Sequence, residues 1–243
     1  MSDIKKINRQ FFLTLFGLIG FIVIIGFVMV MINIYVENES IEYAIYFALL
    51  ILLLFIVPMF KNHLDRLINL SYLIKIRYHA AGPLAMNYSK DKETLVSRIK
   101  KLGYQRYAFD KYHALYYRVT KDQIKKIFRR YMLEVVVLLE NTADEFYLSV
   151  VDEEISMIQQ NHLKEHRKMD RMLITQIKDI DDLEDETKEK IKEILFIRQQ
   201  QTIISTINVG LHHSSEKALV LYSETYSPSL YYKHHIQEIK EII

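Results

Sequence analysis

The chain has 243 residues, 50% hydrophobic and 26% charged, with 32 Lys+Arg against 30 Asp+Glu and a formal net charge of +2. Only 6 Gly and 3 Pro are present, which excludes collagen-like and low-complexity chains, and the apolar content excludes a fully disordered one. Cysteine is absent, so no disulfide framework, thiolate zinc site, iron–sulfur cluster or cysteine nucleophile is available.

After a short N-terminal stretch (1–10), residues 11–36 carry no charge at all. A helix rising about 1.5 Å per residue over that length exceeds the roughly 30 Å hydrocarbon core of a bilayer. Residues 41–60 carry one charge, Glu42, and have the length a spanning helix needs. The sequence therefore predicts a two-helix transmembrane hairpin closed by a short external turn (37–40). A cleaved signal peptide fits less well, because the apolar run is too long and a second span follows at once. Lys5, Lys6 and Arg9 precede the first span and Lys61, Arg66, Lys75 and Arg77 follow the second, whereas the turn has neither Lys nor Arg. That asymmetry places both termini in the cytoplasm of a two-pass cell-membrane protein. Asn33 is the only strongly polar side chain deep in either span, which suits an anchor better than a transport pathway.

A basic juxtamembrane segment (61–83) ends at Gly82-Pro83, and residues 84–243 suffice for one cytosolic domain. Helices are predicted before Gly103, after a Thr120–Gln123 capping box, along the strip Ile155, Ile158, His162, His166 and Met169, after the acidic run 181–186, and after Ser227-Pro228. Strand patterns occupy 104–109, 112–119, 133–140, 145–151, 202–211 and 218–223. Together they predict an α+β domain of helices and antiparallel β-hairpins.

Charge is unevenly spread. Residues 61–130 hold 17 Lys+Arg and 5 Asp+Glu, while residues 131–198 hold 9 and 17. The membrane-proximal half is thus basic, and Arg98, Lys100, Lys101, Lys121, Lys125, Lys126, Arg129 and Arg130 are the candidate surface for anionic phospholipid headgroups. Tyrosines interleaved with these cations resemble a nucleic-acid stacking platform, but strand tyrosines more commonly pack in sheets, so nucleic acid is not the expected partner.

Only Gly82, Gly103 and Gly210 lie outside the spans, too few for a P-loop, a dinucleotide-binding turn or a nucleophile elbow. His162-Leu-Lys-Glu165-His166 matches the H-x-x-E-H zinc signature of inverzincin metalloproteases, in which two histidines one helical turn apart hold zinc and the glutamate is general base. His162 and His166 are the metal candidates and Glu165 the catalytic one. The same letters also describe an amphipathic helix carrying partly buried imidazoles. The expected function is a membrane-anchored binding or sensing module with no cofactor. Its partners are the bilayer, a protein of unknown identity and, compatibly, further copies of itself. The alternatives are a membrane-tethered metal-dependent hydrolase and a ligand-controlled membrane effector.

Overall fold

The structure, a computed structural model, describes residues 2–86, 92–122, 124, 130–140, 145–181, 184–199 and 202–243. It divides into two compact units, residues 1–74 and 75–243.

Two helices make the first unit, α1 (Ser2–Tyr35) and α2 (Glu39–Tyr78), each long and apolar enough to cross a membrane. Their large side chains turn outward: Phe16, Val23 and Phe55 are 65%, 64% and 71% exposed, whereas a core helix of a soluble protein would cover them. Asn38 caps α2, its Oδ1 accepting from the Ser40 backbone N–H at 3.0 Å. α2 extends past the predicted span through the basic juxtamembrane residues, since neither Gly nor Pro intervenes between Pro58 and Gly82. Its last residues belong to the second unit.

The second unit contains β1 (Leu84–Ala85), α3 (Lys92–Lys101), β2 (Gln105–Phe109), β3 (His113–Lys121), β4 (Tyr131–Leu139), α4 (Ser149–Lys164), β5 (Met169–Asp179), α5 (Asp185–Ile191), β6 (Leu195–Gln199), β7 (Thr202–His212), β8 (Lys217–Val220) and α6 (Leu230–Ile242). One sheet joins the strands in the order β1-β8-β7-β5-β4-β3-β2, with β6 also pairing with β7. Antiparallel pairs occur as predicted at β2–β3 and β7–β8, and two that the sequence did not predict join β3 to β4 and β6 to β7. The two central pairings, β4–β5 and β5–β7, are parallel, so the antiparallel reading is corrected at the middle of the sheet.

Three local expectations change with it. Residues 149–151 open α4 instead of ending a strand, because Val151, Ile155 and Ile158 share one helical face and are all buried. Thr120 lies within β3, its hydroxyl donating to Glu134 Oε2 at 3.3 Å, and so caps no helix. The remainder of that predicted helix (123 and 125–129) falls outside the described residues. Met169 starts β5, and α4 stops five residues earlier.

Side chains alternate across the sheet. On one face Leu133, Val135, Val137 and Leu139 pack with Ile174, Val151, Ile155 and Ile158 beneath α4. The opposite face, bearing Glu134, Thr175 and Ser205, meets α6. Gly210 permits close packing on the α5 side, where a Cβ would lie 2.6 Å from Ile191 Cδ1 and 3.0 Å from Ile180 Cδ1. Both isoleucines are buried, so Gly210→Val should destabilise the chain by about 1–3 kcal/mol through overpacking, read as a lowered thermal midpoint. An unchanged midpoint would show that the two isoleucines yield freely.

Candidate functional site

The strand register defines two edges of the sheet. Lys121, Tyr131 and Met169 are in line at the edge where the parallel strands begin, and His113, Leu139, Asp179 and Leu211 lie near the edge where they end. Exposed cations gather at the first: Lys121, Lys164, Arg167 and Lys168, with half-buried Arg130 beside them. Two of these carry local partners, Arg167 with Glu165 at 3.3 Å and Lys168 with Asp170 at 3.3 Å. The second edge carries Asp110, Glu140, Glu145, Asp179, Asp181 and the acidic start of α5, against Lys92, Lys111, Lys178 and Lys217.

Of the predicted basic surface, Lys121 and Arg130 lie at the first edge, and Lys125, Lys126 and Arg129 fall outside the described residues. Lys100 and Lys101 are exposed on the last turn of α3. Arg98 instead donates from Nη1 to the Ile243 carbonyl at 3.2 Å, tying α3 to the end of the chain. Lys164, Arg167 and Lys168 escaped the sequence reading because they sit in the acidic half of the chain. Only the return of α4 to the first edge gathers them with Lys121.

A second constellation lies under α6. Arg118 donates from Nε to Glu134 Oε2 at 2.6 Å and from Nη1 to the Leu102 carbonyl at 2.6 Å, and its Nη2 pairs with Glu238 Oε2 at 2.7 Å. His234 Nε2 lies 2.9 Å from Glu134 Oε1. Burial alone would raise the Glu134 carboxyl, but His234 and Arg118 outweigh it and hold it below the ordinary value. The bond to Glu134 raises His234. Glu134, His234 and Glu238 present ligand atoms within 4.8 Å of one another, a set that could hold a cation. Arg118 already engages both carboxylates and supplies the positive charge there.

His235, next in sequence, points elsewhere. Its Nδ1 lies 2.9 Å from Ser205 Oγ and its Nε2 2.9 Å from Thr175 Oγ1. A serine beside an imidazole is the geometry of a nucleophile and its base, yet Ser205 and His235 are 0% and 2% exposed, which shuts substrate out. Burial lowers the imidazole to about 3, too weak a base for neutral pH. Farther along the same face, Tyr231 donates to Asp122, and Arg171 Nε donates to the Tyr231 hydroxyl at 3.1 Å.

The predicted metal motif is not assembled on one helix. α4 ends at Lys164, and His166 follows in the left-handed region with φ 59°, so His162 and His166 do not stack one turn apart. His162 Nδ1 lies 3.3 Å from Glu165 Oε2 without hydrogen-bond geometry, and its ring stands edge-on to Tyr117 at 6.2 Å. The amphipathic-helix alternative holds for half-buried His162 on α4 and not for His166, which is exposed beyond the end of that helix.

On the α4–α5 face of the sheet lies a cavity of about 540 Å3, within the ~300–1,000 Å3 of small-molecule sites. Its floor is Ile174 and Gln176 of β5 with Thr206 and Asn208 of β7. The loop entering α4 and the α5–β6 connection form the walls, and Arg77 contributes from the last turn of α2. Asn208 donates from Nδ2 to the Lys190 and Glu193 carbonyls, both at 3.0 Å, while its Oδ1 is buried with no partner. No motif announces this site, because its residues come from five separated segments.

No protein-family model, curated protein or solved structure matches this chain.

The two neighbouring histidines give opposite pH dependences. His235, lowered from 6.5 to about 3, contributes stability fully above 6.5, lost as pH falls through that window. His234, raised above 6.5, contributes stability below that value, lost as pH rises through its folded-state value. The thermal midpoint should therefore fall as pH drops from about 6.5 to about 4.5, before free carboxylates titrate. His235→Gln should flatten that limb, and an equally steep limb in the variant would assign it to another group.

Proposed function

We propose that the chain is a two-pass membrane-anchored protein with both termini in the cytosol, whose second unit is a binding or sensing module resting its basic sheet edge on anionic lipid. The segregation of charge along the strands carries this reading. Exposed Lys121, Lys164, Arg167 and Lys168 share one edge, and the acidic start of α5 belongs to the other. A cation near an anionic leaflet gains about 1 kcal/mol, an attraction that fades within a Debye length of roughly 8 Å at physiological salt. A few such side chains suffice to orient a tethered domain.

The entry of the chain supports the same side. Lys75 lies over the Tyr226 ring at 5.8 Å and the His79 ring is 6.3 Å from it. Tyr226 follows β8, which runs antiparallel to β7 and so heads toward the edge where the parallel strands begin. The flanking Lys and Arg residues of α1 and α2, absent from residues 37–40, support the cytosolic termini. A metal-dependent hydrolase draws no comparable support, since His162 and His166 are not held on a common face.

Because the chain has no cysteine, single-cysteine variants carry a polarity-sensitive dye without background. In nanodiscs of phosphatidylcholine with phosphatidylglycerol, a dye at Lys121→Cys should report the bilayer and lose that signal in high salt, while one at Glu216→Cys should report water. In phosphatidylcholine alone both should report water. Equal signals from the two positions, or no dependence on lipid charge, would refute the orientation. A C-terminal reporter active only outside the cell would refute the topology.

A further inference from the structure

Around the α4–α5 cavity the free charges are all of one sign. Glu145 and Glu193 border the space and are exposed, and among the described residues neither carboxylate has an ion-pair or hydrogen-bond partner. Asp152 is exposed as well, and one of its oxygens accepts from the Tyr147 hydroxyl at 2.8 Å. The two cations of the lining are already engaged. Lys190 pairs with Glu186 at 3.0 Å, and Arg77 Nη2 donates to the Lys192 carbonyl at 3.3 Å. The N-terminus of α4, whose positive end would favour an anion, has Asp152 in its first turn. Glu145 also belongs to the acidic edge of the sheet, and a cleft bordered by one sign of charge concentrates the opposite sign.

The floor adds a second and independent demand. Gln176 is 7% exposed and lines the cavity, yet among the described residues no group hydrogen-bonds its amide. A buried amide without a partner is costly, so an occupant that brings a hydrogen-bonding group there is favoured over a purely apolar one. Most of the remaining lining is apolar, with Phe146, Val151, Ile155, Ile174, Ile194 and Leu195, which suits the carbon body of an organic molecule. A metal ion fits poorly. Hard cations ask for about six or more oxygen ligands, and among the described residues Glu145, Asp152 and Glu193 do not converge closely enough to share one ion.

We infer that this cavity binds a protonated organic amine, a small molecule with an ammonium group, an apolar body and an uncharged hydrogen-bonding group. Glu145 and Glu193 attract the ammonium, whose N–H groups form charge-assisted hydrogen bonds with carboxylates. The isoleucines and Phe146 cover the body, and the Gln176 amide bonds the uncharged group. The inference is independent of how the protein lies on a membrane.

The test is calorimetric titration of the full chain in non-ionic detergent with tyramine and tryptamine. Each is compared with the alcohol that replaces its amine by a hydroxyl, tyrosol or tryptophol, and with the matching propionic acid. At least one amine should saturate a single site per chain below millimolar concentration, about tenfold more tightly than its alcohol, with the acid weaker still. The double variant Glu145→Gln, Glu193→Gln alters two exposed side chains that hold nothing in place. Its thermal midpoint should match that of the parent, its amine affinity should fall about tenfold, and its alcohol affinity should not change. Gln176→Met keeps the volume and should weaken amine and alcohol alike; should it fail to fold, the carboxylate variant decides alone. No saturation by either amine, an alcohol or acid that binds as tightly as its amine, or an unchanged amine affinity in the double variant would overturn the inference, as would unchanged binding in a folded Gln176→Met.

Discussion

Three parallel strands side by side cannot be joined by tight turns, because each connection must carry the chain back to the edge where the next strand begins. Here β4, β5 and β7 obey that constraint, through α4 and then through α5 and β6. Both crossovers leave from the edge bearing Leu139 and Asp179. The acidic residues that open α5 therefore collect there, while the cations that close α4 are returned to the opposite edge beside Lys121. The same pairing puts Gln176 level with Asn208. Charge polarity and cavity floor are thus two results of one register, and a slip of β5 against β7 by a single residue would turn one of the two amides to the other face.

The opposite face shows what it takes to hold α6. Tyr231, His234, His235 and Glu238 recur at intervals of three and four and so point together at the sheet. Each meets a polar partner there, on β3, β4, β5 or β7 or in the residue that follows β3. Burying an ion pair gains little net stability, because desolvation offsets the attraction, whereas removing one partner from such a pair costs about 3–5 kcal/mol. The network therefore acts mainly on position: α6 rotated or shifted by one residue would strand Glu134 or Arg118 without a counter-charge. Arg118 is the hinge of that arrangement, since its planar fork reaches Glu134, Glu238 and the Leu102 carbonyl together, which an ammonium could not do.

Much of this was legible from the residues. The two apolar helices, α3 before Gly103, β2, β3, β4, β7, β8 and α6 all lie close to their predicted places, because each has a clean period or a clear cap. β5 was not legible. Its apolar centre is bounded by Asp170 and Arg171 at one end and Lys178 and Asp179 at the other, and the helical strip ahead of it continues by chance into Met169. Missing that strand turned a parallel centre into a run of hairpins and left His162 and His166 on an imagined common helix. The amides of the cavity floor were equally hidden, since Gln176 and Asn208 are 32 positions apart and only the strand pairing makes them neighbours. Lys164, Arg167 and Lys168 illustrate the same limit: a charge count along the chain assigns them to an acidic half that the crossover breaks up.

The separation of the two faces also bears on what the cavity can do. Catalytic groups owe their reactivity to shifted proton affinities, and those shifts gather where chemistry occurs. In this domain Glu134 is lowered by His234 and Arg118, His234 is raised by Glu134 and His235 is lowered by burial, yet all three lie under α6, across the sheet from the cavity. Beside the cavity the Tyr147 phenol is raised by its bond to Asp152 and so less able to release a proton. The floor itself is built of two amides, groups that donate and accept hydrogen bonds at any ordinary pH without gaining or losing a proton. The two faces of the sheet thus differ in kind: ionisable side chains hold α6 on one, and amides that do not titrate form the floor of the cavity on the other.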